Sequence, residues 1–190
     1  MAEESDDRRV MIAILLASTL LTMLGIIGIL SGTNVLWAKP IPENLSDFFS
    51  EEADGANPAS REVQIAVQFR EAEASDPYRR PMAAANVIVS ALVLIGSFLL
   101  SWRRRLAQWW VRQAVIAKLI WIVGSTAAFV QHLEGVFPSL PPPSAGGGTL
   151  SELTWYTIAL AAISAVLHAL AAWRVSRPDI GEFIETSSRG

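Results

Sequence analysis

Residues 82–118 read MAAANVIVSALVLIGSFLLSWRRRLAQWWVRQAVIAK. An apolar run closes at Ser101, the triplet Arg103, Arg104 and Arg105 follows, and a second apolar run is under way by Gln113. A bilayer hydrocarbon core about 30 Å thick takes about 20 helical residues to cross. The run at 82–101 has that length, and so do the stretches near 10–31, 113–130 and 150–173. The pattern predicts an all-α membrane protein of four transmembrane helices in an antiparallel bundle. A mostly helical outward segment is expected between helices 1 and 2.

Composition agrees. The chain has 190 residues, 52% of them hydrophobic, with a mean hydropathy of +0.37, too apolar for an ordinary soluble domain. It has no cysteine, which excludes disulfides, thiolate zinc sites, iron–sulfur clusters and covalently attached haem. The first run follows Arg8 and Arg9, as a signal peptide would. It is longer than such a segment needs, and Leu36-Trp37-Ala38 offers no small-x-small cleavage site. A retained anchor is the reading.

Basic residues near span ends set orientation, since Lys and Arg stay on the cytoplasmic side. Arg8, Arg9, Arg103, Arg104, Arg105, Arg112, Arg174, Arg177 and Arg189 fall on one side. Lys39, Arg61, Arg70, Arg79 and Arg80 are spread over the other, in an acidic segment. Both termini are therefore expected in the cytoplasm, in a plasma membrane of bacterial type. Six of the tryptophans (Trp37, Trp102, Trp109, Trp110, Trp155 and Trp173) stand at run edges, as an interfacial belt predicts, and Trp121 falls mid-span.

The resulting plan has a cytoplasmic start at 1–9, charged and frayed, and helix 1 at 10–37. An acidic outward loop at 38–81 carries a helix at 58–74, for which a strand is the rival reading. Helix 2 spans 82–102, a basic cytoplasmic loop 103–112 and helix 3 113–133. An outward Pro/Gly loop fills 134–149, helix 4 spans 150–173 and a tail runs 174–190, with a short segment near 180–184 able to lie on the membrane surface.

Inside lipid, small residues let helices approach and hydroxyls bond across them. Ser18, Thr22, Gly25 and Gly32 share a face of run one, and Asn86, Ser90, Ser97 and Ser101 a face of run two. Lys118, Trp121, Ser125 and His132 line run three. In run four, Ala161, Ser164, Ala165 and His168 oppose Tyr156, Leu160, Ile163, Leu167 and Leu170. An ionisable residue within a span marks a candidate site. Lys118 and His168 are expected at a shared level in the cytoplasmic half, lining a polar pocket with Ser18, Thr22 and Ser97. The competing readings are a Lys118 that snorkels to the interface and a His168 satisfied by a neighbouring hydroxyl or carbonyl. Arg103, Arg104 and Arg105 are candidate contacts for lipid headgroups.

Chemistry beyond that is sparse. His132 and His168 lie at different depths, so the chain alone does not sandwich a haem, and no cofactor or metal is expected. No nucleophile elbow, phosphate loop or metalloprotease helix is present. The leading expectation is a non-enzymatic accessory, assembly or scaffold subunit of a larger membrane complex. Its partners would be the lipid bilayer and other membrane subunits, with no nucleic acid. The alternatives are a small transporter, channel or lipid-binding protein using the polar pocket, and a sensor with an outward ligand-binding segment.

Overall fold

The computed structural model describes residues 2–37, 75–136 and 149–187. These form five helices: α1 Ala2–Trp37, α2 Arg79–Ser101, α3 Ala107–Val136, α4 Thr149–Val175 and α5 Pro178–Ser187. Four stretches are long and apolar enough to cross a membrane: Asp7–Trp37, Arg79–Ser101, Ala107–Gly135 and Thr154–Val175. The chain is a multi-pass membrane protein by the length and apolarity of these helices. The outward helix expected at 58–74 lies outside the described residues, as does 137–148 of the Pro/Gly loop.

Helix ends depart from the sequence plan in instructive ways. α1 reaches back to Ala2, where a frayed start was expected. α2 starts at Arg79 rather than near 82; its entry turn is made by Asp76, whose carboxylate accepts from the Tyr78 N–H at 2.8 Å. α3 starts at Ala107 rather than 113, because the connection from α2 is a tight turn instead of a loop. Arg103 N–H donates to Leu100 O and Arg104 N–H to Leu99 O, each at 3.0 Å. This is a Schellman closure, with Arg103 at φ 51° in the position that favours glycine.

α1 lies along α2, α2 on α3, α3 on α4, and α4 returns to α1. Contact between α1 and α2 follows a ladder in which numbers rise on one helix and fall on the other. Ser18 O accepts from Ser97 Oγ at 2.9 Å, Gly28 O accepts from Asn86 Nδ2 at 3.1 Å, and Gly32 lies against Ala83 O. On α4, His168 is buried and Tyr156, Leu160, Ile163 and Leu170 are exposed, as expected, whereas Leu167, expected on the same outer face, is half-buried.

The apolar core thickens toward the end that carries the arginine triplet, here the arginine end. Val10, Ile14, Leu100, Val111, Val175, Ile180 and Ile184 meet there. α5 supplies the last two. The surface placement foreseen for 180–184 is thus replaced by packing against α1, and the Gln108 amide donates to Val175 O at 2.8 Å to anchor the turn before α5.

The tryptophans divide by partner. Trp37, Trp102, Trp109, Trp155 and Trp173 are exposed. Trp110, foreseen in the belt, instead turns inward and donates Nε1–H to Leu92 O at 3.1 Å. Gly96 makes room for it; a Cβ there would sit 3.1 Å from the indole Cδ1.

Candidate functional site

α2 places Asn86 and Ser90 one turn apart on one face, and both are buried. α3 brings Lys118 to them. Its Nζ donates to Asn86 Oδ1 at 2.5 Å and to Ser90 Oγ at 2.9 Å, and sits 4.4 Å from the centre of the Trp121 ring. Ser90 Oγ–H donates to Asn86 Oδ1 at 3.2 Å, and Asn86 Nδ2 donates across to Gly28 O on α1. Trp121 is itself fixed by Nε1–H donating to Met82 O at 3.1 Å. Two neutral oxygens and one aromatic face thus take up the three hydrogens of the ammonium. The lysine is 4% exposed; it bonds α3 to α2, and Asn86 carries the connection on to α1.

Snorkelling is therefore not what this lysine does. With α3 beginning at Ala107, Lys118 lies about 16 Å along the helix, beyond the reach of its own stem to the arginine-end interface. Its acceptors stand on α2, within hydrogen-bonding distance.

Gly28 makes the junction possible. A Cβ at that position would stand 2.1 Å from Ser90 Oγ, 2.9 Å from Ser90 Cβ and 3.2 Å from Lys118 Nζ. Only a hydrogen side chain lets the α1 backbone come this close.

Ser18, Thr22 and Ser97 form a separate layer. Ser97 Oγ donates to Ser18 O at 2.9 Å and lies 2.5 Å from Thr22 Oγ1. Ser97 is about 10 Å along α2 from Ser90. These three bond α1 to α2 and do not join Lys118 in one pocket.

Gln108 meets Val175 across α3 and α4, and counting from that pair puts His168 about one helical turn closer than Lys118 to the arginine end. The ring is 1% exposed. Nδ1 lies 2.7 Å from Ser164 O, and a carbonyl only accepts, so Nδ1 carries a hydrogen. A neutral ring then presents a lone pair at Nε2. That atom is buried and has no hydrogen-bond partner among the described residues.

His132 hydrogen-bonds Ser75 at 3.2 Å, about 21 Å further along α3 than Lys118. No group of His, Asp or Glu able to hold a metal ion occurs among the described residues. Of the arginine triplet, Arg103 is half-buried with its guanidinium 5.1 Å from the centre of the Phe183 ring on α5. Arg104 and Arg105 are exposed.

The polar centre of the molecule is thus Lys118, Asn86, Ser90, Gly28 and Trp121, with His168 on α4 about one helical turn nearer the arginine end. The sequence reading named Lys118 and His168 but assigned the wrong hydroxyls. Asn86 and Ser90 carried the available signal: an amide and a hydroxyl four apart on the polar face of a span. Nothing in the one-dimensional pattern marks Gly28 over Gly25. No protein-family model matches the chain, and neither does any curated protein or solved structure.

Proposed function

We propose that this chain is an antiparallel four-helix bundle with both termini cytoplasmic. In this reading it serves as a non-catalytic accessory, assembly or scaffold subunit of a larger complex in a bacterial plasma membrane. The α1–α2 ladder supports the topology, and the clustering of Arg8, Arg9, Arg104, Arg105, Arg112 and Arg174 around one end supports the orientation. The observation that carries the role is the state of Lys118. Its hydrogens are engaged by Asn86, Ser90 and Trp121, so the most expensive polar group in the spans is spent on joining helices. A chain built this way offers partners a rigid surface rather than a reactive centre.

The test is gentle extraction followed by mass spectrometry of what travels with the protein. A defined membrane partner at fixed stoichiometry is expected. A lone monodisperse monomer across several mild detergents would sink the proposal.

One observation favours a second reading, a transporter or lipid-binding protein: the unpartnered Nε2 of His168. An unsatisfied buried acceptor costs about 1–3 kcal/mol, so replacing the ring by Leu should leave stability unchanged or raise it. Loss of ligand binding or transport in His168→Leu, with folding intact, would move the choice to this reading.

A further inference from the structure

Cations at the arginine end are of two kinds. Arg103 stacks on Phe183, Arg174 pairs with Asp179 at 3.1 Å, and the Arg177 guanidinium lies 5.4 Å from the centre of the Trp173 ring. Arg104 and Arg112 are exposed, and their side chains have no ion-pair, hydrogen-bond or ring partner among the described residues. Nor does the chain around them offer a carboxylate. No Asp or Glu occurs between Asp76 and Glu134, so α2, the turn after it and the arginine-end half of α3 carry none.

Arg112 stands on a face turned to lipid. It lies about 8 Å along α3 from Ala107, inside the span Ala107–Gly135. Trp109 and Ile116, three residues before it and four after, share its face and are exposed. An arginine so placed sends its stem toward the interface and is stabilised by an anion at head-group depth. Arg104 stands at that interface on a rigid mount. Its N–H donates to Leu99 O at 3.0 Å and its O accepts from Ala107 N–H at 2.8 Å, which fixes its backbone between two helix ends. The two guanidiniums flank the start of α3, and each can donate two hydrogens to a phosphate.

Charge complementarity and depth select the occupant. Two unpaired cations favour a head of net negative charge over one whose phosphate is offset by its own ammonium. The exposed Trp109 and Ile116 beside them put the phosphate in the bilayer rather than in solution. We propose that Arg104 and Arg112 hold the phosphodiester of an anionic phospholipid at the α2–α3 turn. Arg103 takes no part, because Phe183 occupies it.

The test uses the full chain reconstituted in vesicles of equal phosphatidylglycerol and phosphatidylcholine with identical acyl chains. The protein is extracted gently and its retained lipid counted by native mass spectrometry. Retention of the glycerol lipid at least about tenfold above the choline lipid is expected. Arg104→Gln and Arg112→Gln should each lower that ratio about fivefold, the factor that about 1 kcal/mol per basic residue provides. Arg8→Gln with Arg9→Gln removes two exposed charges from α1 instead, and should change the ratio less than twofold. Equal retention of the two lipids by the unaltered chain overturns the proposal. So does an equal loss in the Arg8 and Arg9 variant, which would mean diffuse surface charge, or displacement of the lipid by excess inorganic phosphate. A co-purifying acidic polypeptide that is lost in Arg112→Gln also overturns it, in favour of a protein contact. The subunit reading stands or falls separately, on co-purification by the unaltered chain.

Discussion

Lys118 Nζ lies 2.5 Å from the amide oxygen of Asn86, so a buried ammonium in a membrane span meets a neutral side chain where a carboxylate would be the familiar partner. The arrangement works because it is shared. Ser90 accepts a second hydrogen and the Trp121 face a third, while the Asn86 amide nitrogen is occupied by Gly28 O. Asn86 is the bridge: its oxygen meets Lys118 of α3 and its nitrogen meets Gly28 of α1.

Removing the acceptor should therefore hurt more than removing the cation. Asn86→Leu strands the ammonium and should cost about 3–5 kcal/mol. Lys118→Leu leaves Ser90 and Asn86 bonded to each other and should cost about 1–3 kcal/mol. In the double variant much of the loss should be recovered. Thermal unfolding in detergent, analysed as a double-mutant cycle, measures the coupling. Additive losses would rule out a shared network.

Glycines in the spans should respond in opposite directions. Gly28→Ala drives a methyl into Ser90 and should destabilise by about 1–3 kcal/mol, as overpacking does. A Cβ at Gly124 meets nothing within 4 Å among the described residues. Gly124→Ala should be neutral or stabilising by up to about 1 kcal/mol through helix propensity. The same melting measurement ranks the two.

Arg103 occupies left-handed backbone at φ 51°. Substitution by Gly removes about 1 kcal/mol of strain that Ala keeps, while both lose the guanidinium that stacks on Phe183. Arg103→Gly should thus be more stable than Arg103→Ala by about 1 kcal/mol. Equal stability would show that the turn relaxes when the arginine is lost.

Acid should loosen α5. Asp179 is only slightly buried, which raises its pKa a little; hydrogen bonds from Arg174 and from the Ile180 N–H outweigh this, together with the Arg174 and Arg177 charges. Its pKa is held below the ordinary 3.8. A depressed carboxylate stabilises fully above its unfolded value and loses that contribution as pH falls through the folded one. The window therefore lies below about pH 4. The pair with Arg174, at 3.1 Å, is largely exposed, so the effect is at most about 1 kcal/mol. Hydrogen exchange of α5 amides should rise in that window beyond the intrinsic rate change, and Asp179→Asn should abolish the dependence.

Orientation is open to direct labelling, since the chain has no cysteine. A single Ser176→Cys, in an exposed position just after α4, should react with a membrane-impermeant thiol reagent only once cells are opened. Reaction in intact cells would invert the topology.

Much of the fold was legible because lipid imposes one rule on every residue of a span. Backbone groups must be satisfied internally, so long apolar runs become helices, and their number follows from composition. The size-sorted face of α4 was legible for the same reason, with Leu160 and Ile163 turned outward and His168 turned in. The helix starts at Arg79 and Ala107 were not, because the Asp76 turn and the Schellman closure set helix ends beyond the apolar limits that mark them in sequence.

The polar centre shows the same boundary. Sequence determined that Lys118 and His168 lie inside spans, since both are embedded in apolar runs. It did not determine what they touch. Which hydroxyls meet a lysine depends on the register of one helix against another. That register was decided by where Gly28 allows α1 to approach α2, and by the Asn86 amide that fixes the approach. Hydropathy is a property of one strand of text, whereas register is a relation between helices and exists only once they pack.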